Sequence, residues 1–241
     1  MTMHIVTTQQ VSHGSHFRAQ VLRGYQQKIN PFIAVDHAWM SGPTFPPHSH
    51  AGFSAVSYVF LDSESGIDNS DSTGVKNLIK PGGLHWAAAG SGIVHEEVPA
   101  EPGKTVHSLQ IFIALPEAKR LMQPTALTLE AEDVISVKIP ERKVRIPVGE
   151  FNGVQSPLKT PTDVTLLDIT LHAGASINLQ VKANHNAFVL PVWGSFNVDQ
   201  QTFSLQQHNV PVYSSQADEQ TITVTASDTG AKVMFFSGKP L

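Results

Sequence analysis

Cysteine is absent from all 241 residues, which excludes disulfides and thiolate metal sites and leaves histidine, aspartate and glutamate as the strong ligands available. Any redox chemistry then has to come from a bound metal. Basic charge is scarce as well: 16 Lys and Arg stand against 20 Asp and Glu, for a net charge of -4, and the cations are scattered along the chain. A phosphate backbone calls for clustered cations, so nucleic acid is not expected as a direct ligand. No stretch approaches the roughly 18 apolar residues of a membrane span. The start, MTMHIVTTQQVSHGS, has no basic leader ahead of an apolar core. A soluble, cytoplasmic protein without membrane contact is the expectation.

What is present is a globular chain, 41% hydrophobic and 15% charged, long enough for one large domain or two small ones. Its pattern is strand and turn. Runs such as PFIAVDHAW, FSAVSYVF, VHSLQIFIAL, DVTLLDITL, NAFVLPVWG and AKVMFFSG are short, rich in β-branched and aromatic residues, and bounded by Gly, Pro, Asn, Asp or Ser. Many short strands with turns between them argue for an all-β sandwich or barrel. One helix start stands out, Pro116-Glu117-Ala118-Lys119-Arg120-Leu121-Met122, with Pro first and an acidic residue next, stopping before Pro124. A Pro-punctuated, more charged stretch follows it and separates two strand-rich halves. The simplest account is two similar β-barrels: residues 1–125, a linker over 126–158 that follows the short helix, and residues 159–241.

Two short motifs in the first half carry chemistry. His48-Ser49-His50 lies in FPPHSHAGF, and His95-Glu96-Glu97 lies in PGGLHWAAAGSGIVHEEVP. Side chains on a strand alternate between faces, so His48 and His50 point one way, as do His95 and Glu97. Three imidazoles and a carboxylate converge if the two strands are neighbours. Such a set, without sulfur, suits iron, manganese, nickel, copper or zinc rather than calcium or magnesium. Glu96 competes with Glu97, and a bulge after Val94 is what would bring it round.

Other apparent motifs fail on context. Gly90-Ser91-Gly92 lacks the third glycine and the following helix of a dinucleotide loop, and reads as a turn. The acidic run from Asp62 to Asp68 has its glycine out of place for a calcium loop and reads as a solvated hairpin loop. His13 and His16 have helical spacing in a Gly-Ser setting that makes no helix, so they are taken as loop residues. His107 opens an apolar strand and reads as a core or edge histidine bonded to backbone. In the second half His172, His185 and His208 are single and dispersed, so that barrel is expected to lack a metal.

Taken together, NPFIAVDH at 30–37, GPTFPPHSHAGFSAVSY at 42–58, DSTG at 71–74, IKPGGLHWAAAGSGIVHEEVP at 79–99 and VHSLQIFIALP at 106–116 resemble the pirin family of the cupin superfamily. The resemblance implies two cupin-type, jelly-roll barrels with one metal in the first, held by His48, His50, His95 and Glu97. Iron(II) is the ion expected first, with nickel, manganese, copper or zinc also accepted. It implies, for some members, a quercetinase-type dioxygenase activity, in which Glu97 is the catalytic base toward a small aromatic chelating substrate such as a flavonol. For others it implies a redox-sensitive role exerted through a protein partner. Phe45, His85 and Gln110 are expected to line the cavity.

Four residues depart from the family pattern. Ala51 and Ser54 stand where relatives carry Arg and Glu, and Gly83 and His85 where they read PGDxQW. Loss of a fixed positive charge and a carboxylate is expected to make the pocket less polar. The chain reaches SGKPL where many relatives continue, so no lid from such a tail is expected.

Overall fold

The computed structural model describes residues 2–241, and the chain is all-β apart from three single turns of helix. Two compact units emerge. One comprises Gln9–Gly24 and Phe32–Val134; the other comprises residues 2–8, Tyr25–Pro31 and Ile135–Pro240.

The first unit is a pair of sheets. A seven-stranded sheet runs in the order Thr125–Leu129, Leu84–Ala88, Phe53–Val59, Val106–Ala114, Phe32–Met40, Phe17–Leu22, Gln9–His13. A four-stranded sheet runs His48–His50, Ile93–Pro99, Ile67–Asp71, Lys76–Ile79. Val59 and Val106 of the larger sheet cluster with Ile67 and Ile79 of the smaller one, which closes the barrel interior with a small apolar core. The strand Leu84–Ala88, second from one edge, is buried at every position, His85 included.

The second unit is built on a nine-stranded sheet whose path is Met3–Thr7, Asn209–Tyr213, Asn186–Val198, Gln220–Gly238, Val164–Leu171, Arg142–Val148, Ile135–Ile139. Ser176–Val181 adds to Gln220–Gly238, and Gln201–Ser204 adds to Asn186–Val198. Alternation sets its interior: in Ser176–Val181 the residues Ile177, Leu179 and Val181 are buried while Asn178 and Gln180 face outward. These three join Leu167, Ile169, Val189, Phe196 and Phe235 in one large core.

The structure draws the boundaries differently from the pattern of composition. The stretch 126–158 is not a linker: Thr125–Leu129 pairs with Leu84–Ala88 in the first unit, and Ile135–Ile139 and Arg142–Val148 pair with each other in the second. Residues 2–8, expected in the first barrel, belong to the second unit, where Met3–Thr7 pairs with Asn209–Tyr213. The expected helix at 116–122 shrinks to the 3-10 turn Glu117–Lys119, because Pro124 leaves room for little more than one turn. A one-turn α-helix at Gln26–Ile29 had no sequence signal of its own.

Candidate metal centre

Register builds the centre. His48–His50 pairs antiparallel with Ile93–Pro99 so that His95 lies opposite His48 and Ile93 opposite His50. Directly opposed residues share a face, so the three histidines fall on one side of the smaller sheet. On its other edge the same strand pairs His95 with Asp71, Glu96 with Ser70 and Glu97 with Asn69, without a shift. No bulge follows Val94, and Glu97 rather than Glu96 shares the face of His95.

The ligand atoms of His48, His50 and His95 lie within 4.8 Å of one another, the one such group among the described residues. His50 Nε2 is 3.0 Å from His95 Nε2. That is about the distance between two nitrogens at right angles around an ion with bonds of about 2.1 Å, so the donor set fits a first-row ion. His48 Nδ1 lies 3.0 Å from the Pro46 carbonyl oxygen; donating there fixes the tautomer and leaves Nε2 as the lone-pair nitrogen. Burial holds His95 down to about 3, helped by repulsion from His50, His48 and His85, and burial together with His48 holds His50 down to about 4. Both rings are therefore neutral at pH 7, which is the form that coordinates.

Glu97, expected as the fourth ligand, lies outside that converging group and is bonded to Ser57 instead. Ser57 Oγ sits 2.7 and 2.9 Å from its two carboxylate oxygens and 3.0 Å from Gln110 Oε1. Burial drives the carboxyl up to about 7, against the hydrogen bond from Ser57, which lowers it. A carboxyl poised at that value is equipped to accept or return a proton near neutral pH.

The larger sheet supplies the cavity wall. Thr128, His85, Ser57, Gln110 and Asp36 are successive cross-strand partners, so they form a polar row on the face that carries Ser57 toward Glu97. The expected cavity residues His85 and Gln110 thus lie in one row. His85 is buried, with Nδ1 3.3 Å from Thr128 Oγ1 and Nε2 3.4 Å from Asn69 Nδ2, and burial lowers its pKa despite the charge of Asp71. Phe45 meets His48 edge to face at 6.4 Å, while Phe53 and Phe112 flank His50 at 5.3 and 5.7 Å. Sequence reasoning missed Ser57, Phe53 and Phe112, since they reach the ligands only because the two sheets face each other.

Two expectations change. Ser54 lies on the opposite face from Ser57, fully buried, with its hydroxyl lacking a hydrogen-bond partner, so the residue at this position does not set the polarity of the metal cavity. His107 is bonded through side chains rather than backbone: its Nε2 is 2.7 Å from His37 Nε2, its Nδ1 is 3.1 Å from Asp62 Oδ1, and Trp39 stacks on it at 5.1 Å. Leu109 lies between it and Ile111 on the face away from Gln110, so His107 is not a ligand of this centre. In the second unit His172 pairs with Glu141, and His185 lies 3.5 Å from both Asp163 and Ser237; no cluster of three metal-capable residues forms there among the described residues.

Family models match both halves of the chain: Pirin over residues 7–113 and the Pirin C-terminal cupin domain over residues 166–241. Pirin-like protein 2 of Arabidopsis thaliana is 30% identical over 97% of this chain and 73% of its own length. The chain belongs to the pirin family. Its likeness to another pirin-like protein of Arabidopsis thaliana is 34% over 75% of this chain, which spans 59% of that relative's length. A protein of Pseudomonas aeruginosa whose name assigns it provisionally to quercetin 2,3-dioxygenase is 29% identical over 95% of this chain and 82% of its own length. Among solved structures, a Geobacillus kaustophilus protein superposes with a TM-score of 0.88 at 26% identity, covering 98% of this chain and 95% of that one. No helix among the described residues is long and apolar enough to cross a membrane.

Proposed function

We propose that this pirin is a metal-dependent dioxygenase of the quercetinase type, acting on a small planar aromatic substrate that chelates the ion through adjacent oxygen atoms. One observation carries the reading: three imidazoles converge within 4.8 Å, and Glu97, two positions along the strand from His95, shares their face. His48, His50 and His95 would hold the ion, with Glu97 either joining them or standing free as a base. Iron(II) is the ion assigned first, since neutral imidazoles with a carboxylate suit it and it is redox-active. When bound, such an ion supplies Lewis acidity and the electron traffic that dioxygen chemistry needs.

The chain's own residues do the rest. Glu97 takes the proton from the substrate hydroxyl, and Ser57 orients the carboxylate for that transfer. Gln110 in turn fixes Ser57, and Phe53 and Phe112 keep water from the inner side of His50. Kinship with the Pseudomonas aeruginosa relative supports the substrate class.

Elemental analysis of the purified protein is expected to give close to one transition metal per chain, falling toward background in His95→Ala. Aerobic incubation of the iron-loaded protein with quercetin should then bleach its visible absorbance. Absorbance loss no greater than in a His48→Ala control, with wild-type metal intact, would exclude flavonol oxygenation. The binding or regulatory reading would then stand in its place.

A further inference from the structure

One part of the centre's surroundings has no role in the chemistry above. The hairpin Gln9–His13 to Phe17–Leu22 turns at Gly14-Ser15-His16 and brings His13 and Phe17 beside the loop that precedes His48. The Ser41 N–H donates to the His16 carbonyl at 2.8 Å, which pins hairpin and loop together. Three rings meet there: Phe45 contacts Phe17 at 5.1 Å and His13 at 5.3 Å, both edge to face, and His13 contacts Phe17 at 5.8 Å. Phe45 then reaches the His48 ring at 6.4 Å.

Exposure and packing divide this ring. Phe45 is a large apolar side chain left 36% exposed, and His48 beside it is the exposed member of the trio while His95 is buried. The covered part of the Phe45 ring packs on Phe17 and His13, and its open edge lies on the side of His48. Here it is held by two further aromatic groups, so its orientation is fixed before any ligand arrives, which spares the entropy of ordering it. A ring bound to the ion on the His48 side would lie within stacking or edge contact of Phe45.

We infer that Phe45, buttressed by Phe17 and His13, is an aromatic lip that selects chelating ligands carrying a planar ring over ligands with the same donor atoms and no ring. This rests on the proposed function above and adds a specificity determinant to it. Phe45 touches the ligand; Phe17 and His13 act through Phe45 as positioning residues.

Two probes share one chelating group and differ in the ring: benzohydroxamate and acetohydroxamate. Each is titrated anaerobically into the metal-loaded protein, so that binding is read without turnover, and metal content is measured on the same samples. The wild-type chain is expected to bind benzohydroxamate more tightly. Phe45→Ala should weaken benzohydroxamate by about 3- to 10-fold and leave acetohydroxamate unchanged, the size expected of one aromatic contact. Phe45→Tyr should restore the preference, and Phe17→Ala should lose part of it. Equal weakening of both probes in Phe45→Ala, or of neither, overturns the lip. Lack of metal in the wild-type chain overturns instead the function on which it rests.

Discussion

At the scale of single residues, the centre combines groups that titrate in opposite senses. His50 and His95 have folded values of about 4 and 3, below the ordinary 6.5. The unfolded chain therefore binds their protons more tightly, and the stability they permit above pH 6.5 is lost as pH falls through 6.5 toward those values. Glu97, at about 7 rather than 4.5, runs the other way: the metal-free fold is least burdened below 4.5 and loses stability as pH rises through 7. A cation among the imidazoles favours the ionised carboxylate. Metal uptake at pH 7 should therefore release about half a proton per ion, and affinity should rise with pH across that window. Calorimetry in two buffers of different ionisation enthalpy measures the proton count. Glu97→Gln should abolish the release near pH 7, whereas a release that persists would mean that another group supplies the proton.

At the scale of elements, the ligand strands are held by turns as much as by ladders. The Gly52 N–H, two residues beyond His50, donates to the Gly90 carbonyl at 2.8 Å, and the Ser91 N–H donates to the Met122 carbonyl at 2.9 Å. Gly90 has a φ of +51°, and a methyl group there would lie 2.1 Å from the Met122 carbonyl oxygen. Gly90→Ala should therefore cost about 2 to 4 kcal/mol and loosen metal binding, seen as a lower Tm and faster metal loss to a chelator. Gly14→Ala, at φ +57° with open space around it, should cost only about 1 kcal/mol and leave the metal in place. That His48 shares a face with His50, and His95 with Glu97, was legible in the sequence, because strand alternation is a local rule; that the two pairs meet rests on the pairing of His48–His50 with Ile93–Pro99, which is not local. The contact of Ser57 with Glu97 was not, since it depends on how two separate sheets face each other, bringing together residues forty apart. Nor was the His37 to His107 pair, whose partners are adjacent only through the register of two non-consecutive strands.

At the scale of the whole molecule, composition revealed two barrels but not which strands each barrel takes. Proline and charge between 126 and 158 look like a linker, yet the stretch is strand in both units. Met3–Thr7 looks like the start of the first barrel, yet its register runs Met3 to Tyr213 through Thr7 to Asn209. Val6 is buried in that position, so removing residues 2–8 should expose an edge at Val210 and Val212. Hydrogen exchange is expected to accelerate at Asn209–Tyr213 in such a truncation, with protection of Val106–Ala114 in the first unit unchanged. Equal loss in both units would mean that the first strand supports the whole chain.

That first strand also imposes an order on biosynthesis. Residues 3–7 leave the ribosome ahead of the other strands of these two units, but their partner at Asn209–Tyr213 is translated about 200 residues later. At about 5 to 20 residues per second the delay is roughly 10 to 40 seconds. The first unit draws its strands from Gln9 to Val134 and can close while the strand waits; the second cannot be sealed until Asn209–Tyr213 has been translated.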